Sequence, residues 1–221
     1  MQPDEIAREV FGVRYAAAEN YREILAGRGT EWGLIGPREV ERLWERHILN
    51  SVALADLMPE GVSVVDVGSG GGLPGIPLAL ARPDLRMTLL EPMQRRCTFL
   101  TETIDELGRT LAETVEDTPG PVGRAERAVD ILVERGRAEE HDEVYDIVTC
   151  RAVGPLKRLL DWCLPLLAPG GTLLALKGAS AADELRAVDK SLTKKGLRAE
   201  ILSVRAHAEA EPTTAVRITR A

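Results

Sequence analysis

Gly68, Gly70 and Gly72 form a G-x-G-x-G turn directly after the apolar run VSVVDV, whose single acid is Asp66. Residues without a Cβ let the backbone approach a ligand closely and adopt φ values closed to other side chains. The helix expected after the turn offers unpaired N–H groups to a polar ligand. A dehydrogenase fingerprint reads G-x-G-x-x-G, whereas position 73 here is Leu73. Pro74 and Pro77 follow at once, which shortens the turn and leaves fewer donors for a pyrophosphate. Glu91 closes the next apolar run, 23 residues after Gly68, where an acid can accept both hydroxyls of a ribose. The combination points to an adenosine without a pyrophosphate. S-adenosylmethionine fits best and NAD comes second, against the plain alternative of a tight turn beside a surface glutamate.

These residues need a scaffold, and the chain supplies an alternation of strand and helix. Residues 3–26 read as one helix, with Ile6, Val10, Ala17, Tyr21 and Ile24 on one face. A second helix opens at Gly36-Pro37 and closes at Pro59. On an ideal helix Val40, Trp44, His47 and Ser51 lie within about 40° of one another, while Arg42 and Arg46 point elsewhere. Strands are expected at 62–67, 86–91, around 130–134, at 145–150 and at 171–178. Helices are expected from the turn to Ala81, through RRCTFLTETIDELG and through PLKRLLDWCLPLLAPGG. Two last strands, in GLRAEILSVRA and TTAVRITRA, close the sheet as an antiparallel edge. VEDTPGPVG is a loop by its Pro and Gly content. The resulting class is α/β: a doubly wound, mostly parallel seven-stranded sheet. Residues 1–60 form an N-terminal helical extension packed on a single unit spanning 61–221.

Composition narrows the remaining choices. With 44% hydrophobic and 29% charged residues in 221, a sizeable core is expected. No stretch approaches 18 uninterrupted apolar residues, so no membrane span is expected, and MQPDEIAREV lacks the basic-then-apolar pattern of a signal peptide. Cys97, Cys150 and Cys163 are an odd number without metal-ligand spacing, which suits a reducing cytoplasm, a metal-free site and buried small side chains. The net charge of −7 argues at first against nucleic acid, but residues 101–146 alone hold 14 acids against 5 bases. The rest of the chain is left at +2, which keeps a locally basic RNA-facing surface open.

RHILNS (46–51), DVGSGGGLPGIPLAL (66–80), LLEPMQRRCTFL (89–100), GRAEE (136–140), CRAV (150–153) and LKG (176–178) occur in that order. From about residue 40 to 178 the chain resembles the ribosomal RNA small subunit methyltransferase G (glucose-inhibited division protein B) family. The resemblance implies a Rossmann-like class I methyltransferase fold and S-adenosylmethionine as cofactor. It also implies methylation of N7 of a guanosine, position 527 of 16S RNA, presented as RNA or as the 30S particle; a cytoplasmic monomer is expected. It implies cofactor contacts at Gly68, Leu73, Ala138, Glu139 and Arg151; the residues themselves add Asp66, Gly70 and Glu91. Arg95-Arg96 stands where the family has Lys-Arg, which keeps the charge but alters the hydrogen-bond geometry. An acidic insertion is expected around 109–130.

Guanine N7 carries an in-plane lone pair and no proton, so its methylation needs no general base, and the chain presents no convincing His–acid or Cys–His dyad. Substrate positioning therefore falls to Arg151, Arg46 and His47. His47 reads equally well as a buried residue of the apolar face, and Arg46 as a phosphate contact or a solvated charge. Arg151 lies at the C-terminal end of the fourth strand, the side where open α/β sheets bind ligands. Arg95, Arg96 and Lys177 extend a basic rim for RNA, with Lys157 and Arg158 beyond it, while Lys190, Lys194 and Lys195 read as a solvated helix end. Two other readings stay open: a small-molecule methyltransferase on the same cofactor platform, and a cofactor-binding regulatory module without catalysis.

Overall fold

A computed structural model describes residues 1–116 and 130–220. Among them, seven strands form one sheet: β1 (Ser63–Val67), β2 (Arg86–Glu91), β3 (Ile131–Arg135), β4 (Tyr145–Arg151), β5 (Leu167–Lys177), β6 (Leu197–Val204) and β7 (Thr213–Arg220). Their order is β3-β2-β1-β4-β5-β7-β6. The five strands from β3 to β5 are mutually parallel, and β7 runs antiparallel to both neighbours. The expected antiparallel closure is therefore an insertion: β7 lies between β5 and β6, and β6 forms the edge. Chain direction reverses its walk across the sheet between β1 and β4, and the C-terminal ends of these two strands bound the crevice where such sheets take ligands.

Strand β1 is buried on both faces, which is why it reads as a continuous β-branched run rather than an alternation. One face of the sheet is covered by α1 (Pro3–Phe11), α2 (Tyr15–Ile24), α4 (Gly75–Ala81) and α5 (Gln94–Glu116). The other is covered by α6 (Leu156–Cys163) and α7 (Ala181–Lys194), with Leu159, Leu160, Val188 and Leu192 facing inward. Ile6, Tyr21 and Ile24 share one core with Val64, Leu78 and Leu89, so the N-terminal helices and the sheet bury their apolar faces against each other.

Several elements depart from the sequence expectation, each for a local reason. The helix over 3–26 is two helices, because Gly12 leaves α1 at φ +51° and a 3-10 turn follows. The helix from Gly36 winds as a 3-10 segment (Pro37–Arg42), a π segment (Leu43–Leu49) and the short α3 (Asn50–Val52). The wider π turn carries the buried face through Leu43, Ile48, Leu49 and Val52 instead of Val40, Trp44 and His47. Helix α5 runs on past Gly108 to Glu116 because Leu107 and Leu111, one turn apart, are both fully buried. That burial outweighs the cost of about 1 kcal/mol for a helical glycine. The expected loop over 115–123 thus begins inside a helix at Val115 and Glu116, and its remainder, with most of the acidic insertion, lies outside the described residues. Finally, β5 starts at Leu167, so Pro169-Gly170-Gly171 belongs to a strand. The register jumps from Tyr145↔Leu167 to Ile147↔Thr172, and Gly170 at φ +82° takes up the irregularity. Among the described residues no helix is long and apolar enough to cross a membrane.

Candidate active site

The turn after β1 is stitched to β2: the Gly68 N–H donates to the Leu90 carbonyl at 2.8 Å. Gly68 sits at φ +72°, and a Cβ there would lie 2.5 Å from Val153 Cγ1, so no larger residue fits without moving the β4 loop. Gly70 also needs a left-handed conformation, φ +59°, but its face is open. Both expected acids turn inward. Glu91 is 1% exposed; its Oε2 accepts the Gly70 N–H and its Oε1 the Met93 N–H, each at 3.0 Å. It braces the glycine turn, and each oxygen keeps a further lone pair. Asp66 is fully buried beneath the turn, where Oδ2 accepts the Gly75 N–H at 3.0 Å and positions the start of α4. Among the described residues its Oδ1 has no hydrogen-bond partner, and burial pushes the carboxyl up to about 7.

Around this turn lie two hollows that share Gly68 and Val153. The larger, of about 460 Å³, lies between the glycine turn, the Gly33–Ile35 loop and Arg151, and Leu73, Arg96 and His47 line it. The smaller, of about 140 Å³, is apolar, with Leu90, Pro92, Ala138 and Trp162 in its wall beside Glu139. The larger falls in the usual range for a small-molecule site, about 300–1,000 Å³. A third cavity of about 520 Å³ opens on the far side of Arg151, between the 39–50 segment and the ends of β5 and β7. His47, Arg151 and Ala152 are common to it and to the larger hollow, so they form a dividing wall.

Arg151 is the keystone of that wall. Its Nη1 donates to the His47 carbonyl at 3.0 Å and to Ser51 Oγ at 3.4 Å; its Nη2 donates to the Arg46 carbonyl at 3.1 Å and to His47 Nδ1 at 2.8 Å. Of the five guanidinium N–H groups, only that of Nε has no hydrogen bond among the described residues. The fork therefore caps the C-terminal carbonyls of the π segment and ties the N-terminal helices to β4. Ala152, next in sequence, takes φ +56°, an uncommon conformation for a residue with a Cβ. Burial holds the Arg151 guanidinium below the usual arginine range, and burial together with Arg151 lowers His47.

Eight of the residues named from sequence line these cavities: Arg46, His47, Gly68, Gly70, Leu73, Ala138, Glu139 and Arg151. Arg96 joins them, 3.7 Å from Glu91 Oε2. Arg95 does not; it lies over the Trp32 ring at 4.9 Å. Lys177 borders the third cavity, but its ammonium is 2.6 Å from Glu184 and donates to the Gly154 carbonyl. Sequence reasoning missed Trp162, Asn50 and the Gly33–Ile35 loop. The glycines of GLIG (33–36) were the available signal for the loop, while Trp162 reads simply as one face of an amphipathic helix.

The profile of the rRNA small subunit methyltransferase G family matches residues 14–212. The chain belongs to this family. A ribosomal RNA small subunit methyltransferase G of Rhodococcus jostii is 51% identical over 195 residues, covering 86% of this chain and 77% of that one. Its counterpart in Streptomyces coelicolor is 52% identical, over 87% and 74%. Among solved structures, a SAM-dependent O-methyltransferase from Thermotoga maritima superposes with a TM-score of 0.55 at 16% identity, over 82% of this chain and 69% of that one. The precorrin-6y C5,15-methyltransferase of Geobacter metallireducens gives 0.52 at 16%, over 85% and 90%. These two likenesses show that this chain has a Rossmann-like α/β fold. In that fold, the turn after β1 and the ends of β2 and β4 are the natural walls of a cofactor site.

Proposed function

We propose that this chain transfers the methyl group of S-adenosylmethionine to N7 of a guanine in small-subunit ribosomal RNA, working as a cytoplasmic monomer. The observation that carries the reading is the pair of cavities divided by Arg151 and His47, one at the glycine turn and one rimmed by Arg42, Arg46 and Lys177 together with Glu39, Glu45 and Glu211. The donor set fits the cofactor. The apolar hollow beside Ala138 and Trp162 suits a purine ring, Glu91 retains acceptor capacity for ribose, and Arg96 and the Arg151 Nε–H suit a carboxylate. When bound, the cofactor supplies an electrophilic methyl on a sulfonium.

What remains for the chain is alignment and charge management. The N7 lone pair forms the new C–N bond as the S–C bond breaks, and the positive charge passes from sulfur to the base. No proton is lost, so no general base is required, and His47, with both ring nitrogens engaged, serves the wall rather than as a base. The dividing wall orients the base for in-line attack. Arg42 and Arg46, at the outer cavity, hold the RNA backbone through phosphates, which position rather than specify. The test is transfer of labelled methyl to small-subunit rRNA lacking the modification, as naked RNA and as 30S particles, with mapping of the labelled nucleotide. Label on one guanine N7 is expected. No label on either substrate, or label only on small molecules, overturns the reading.

A further inference from the structure

Glu39 stands outside the cofactor cavity, and neither the glycine turn nor the family motifs point to it, yet both its oxygens are engaged at the wall. Its Oε2 lies 3.0 Å from His47 Nε2 and its Oε1 accepts from Arg46 Nη1 at 3.3 Å. A carboxylate can only accept here and a guanidinium can only donate. Nε2 of His47 therefore carries the ring proton toward Glu39, and Nδ1 is bare toward Arg151, which donates to it at 2.8 Å. The three residues make a continuous chain, carboxylate to imidazole to guanidinium, across the partition between the two cavities.

We propose that Glu39 is a positioning residue for methyl transfer: by holding the Nε2–H tautomer of His47 it keeps Nδ1 free to seat Arg151, and so fixes the wall against which the base is aligned. The claim rests on the methyl-transfer reading of this site. The other tautomer would set an N–H of His47 against the N–H of Arg151, and the fork would have to leave its seat. Doubly protonated His47 has the same effect, with a charge added beside Arg151. The charged groups facing the ring are Glu39 and Arg46 from the helical segment and Arg151 from β4; Leu34 and Ile35, across the cavity, carry none. Burial and Arg151 disfavour the imidazolium while Glu39 favours it, which places the loss of the wall on the acid side of neutrality.

The experiment compares wild type with Glu39→Gln and, as control, Glu41→Gln, which removes the same charge from an exposed residue of the same segment. Three readouts are taken: steady-state methylation of small-subunit rRNA, its pH profile, and the His47 tautomer from nitrogen–proton correlation spectra of labelled protein. Glu39→Gln is expected to lower kcat about tenfold, the effect of one weakened charge-assisted hydrogen bond. KM for RNA should stay level or fall, because a negative charge has left an RNA-facing surface. The His47 spectrum should change from a single Nε2–H form to a mixture, and the acid limb should move to lower pH, because the group favouring the imidazolium is gone. Glu41→Gln should retain wild-type kcat and tautomer. A kcat for Glu39→Gln within twofold of wild type, or an unchanged tautomer, overturns the proposal. If wild type does not methylate rRNA, the functional reading falls instead, and the spectra still decide whether Glu39 sets the tautomer.

Discussion

Gly68→Ala tests whether the glycine turn is closed by this chain's own packing. Two costs can be worked from the structure. A left-handed conformation, here φ +72°, costs a residue with a Cβ about 1–2 kcal/mol. The added methyl would also lie 2.5 Å from Val153 Cγ1, and because valine is stiff at χ1 the contact is relieved only by shifting the β4 loop. Overpacking of this kind costs about 1–3 kcal/mol. The total, about 2–5 kcal/mol, is a large part of the roughly 5–15 kcal/mol that holds a typical domain folded. Any of it relieved by displacing the turn reappears as lost affinity, at tenfold in Kd for each ~1.4 kcal/mol. Urea denaturation and calorimetric titration with S-adenosylmethionine measure the two shares, and the cycle with Val153→Ala separates their causes. The double variant should recover the steric share, giving a coupling of about 1–3 kcal/mol, and leave the conformational share in place. Wild-type stability and wild-type Kd in Gly68→Ala, or a coupling near zero, would refute the reasoning.

Further expectations concern the acid beneath the turn and the bases around the wall. The Asp66 carboxyl, pushed to about 7 from an ordinary 3.8, holds its proton more tightly folded than unfolded. Its contribution is therefore full below about pH 4 and is lost as pH rises through about 7, by at most roughly 4 kcal/mol. Asp66→Asn keeps an acceptor for the Gly75 N–H, so its denaturation midpoint should be flatter than wild type from pH 4 to 8; parallel profiles would count against the assignment. Arg151→Lys replaces a planar fork by a point charge and leaves the Arg46 and His47 carbonyls short of donors, so a loss of about 2–3 kcal/mol is expected in urea denaturation. Arg46→Ala should reduce the salt slope of RNA binding by about one. Lys177→Ala should leave that slope unchanged, since the Lys177 side chain is buried against Glu184, whereas Arg46, although paired with Glu39, stays half exposed.

What the sequence made legible were residues whose type restricts their position. Gly68, Gly70, Leu73 and Arg151 come together because the end of β1 and the end of β4 are neighbours where the sheet reverses, a consequence of the strand–helix alternation. Partner choice was not legible. Glu91 has the position of a ribose acceptor, but only the folded turn presents the Gly70 and Met93 N–H groups that engage it. Likewise, nothing in RHILNS announces a π turn, and that turn directs the Arg46 and His47 carbonyls at Arg151. Gly108 misled for the opposite reason: its propensity is local, whereas the burial of Leu107 and Leu111 against the N-terminal helices depends on residues some 90 positions away.

The place of β7 has a consequence for how the chain is made. Synthesis proceeds in sequence order, so β5 and β6 both exist before the strand that separates them. Until Thr213–Arg220 leaves the ribosome, each presents an unpaired backbone edge, and pairing them directly would be a trap, because the native arrangement must then open to admit β7. On β6 the charges of Arg198 and Glu200, exposed beside Ile201, interrupt the apolar surface that would hold a wrong partner. The strand that follows both in sequence is thus the one that joins them, and with them the end of β5 that borders the outer cavity.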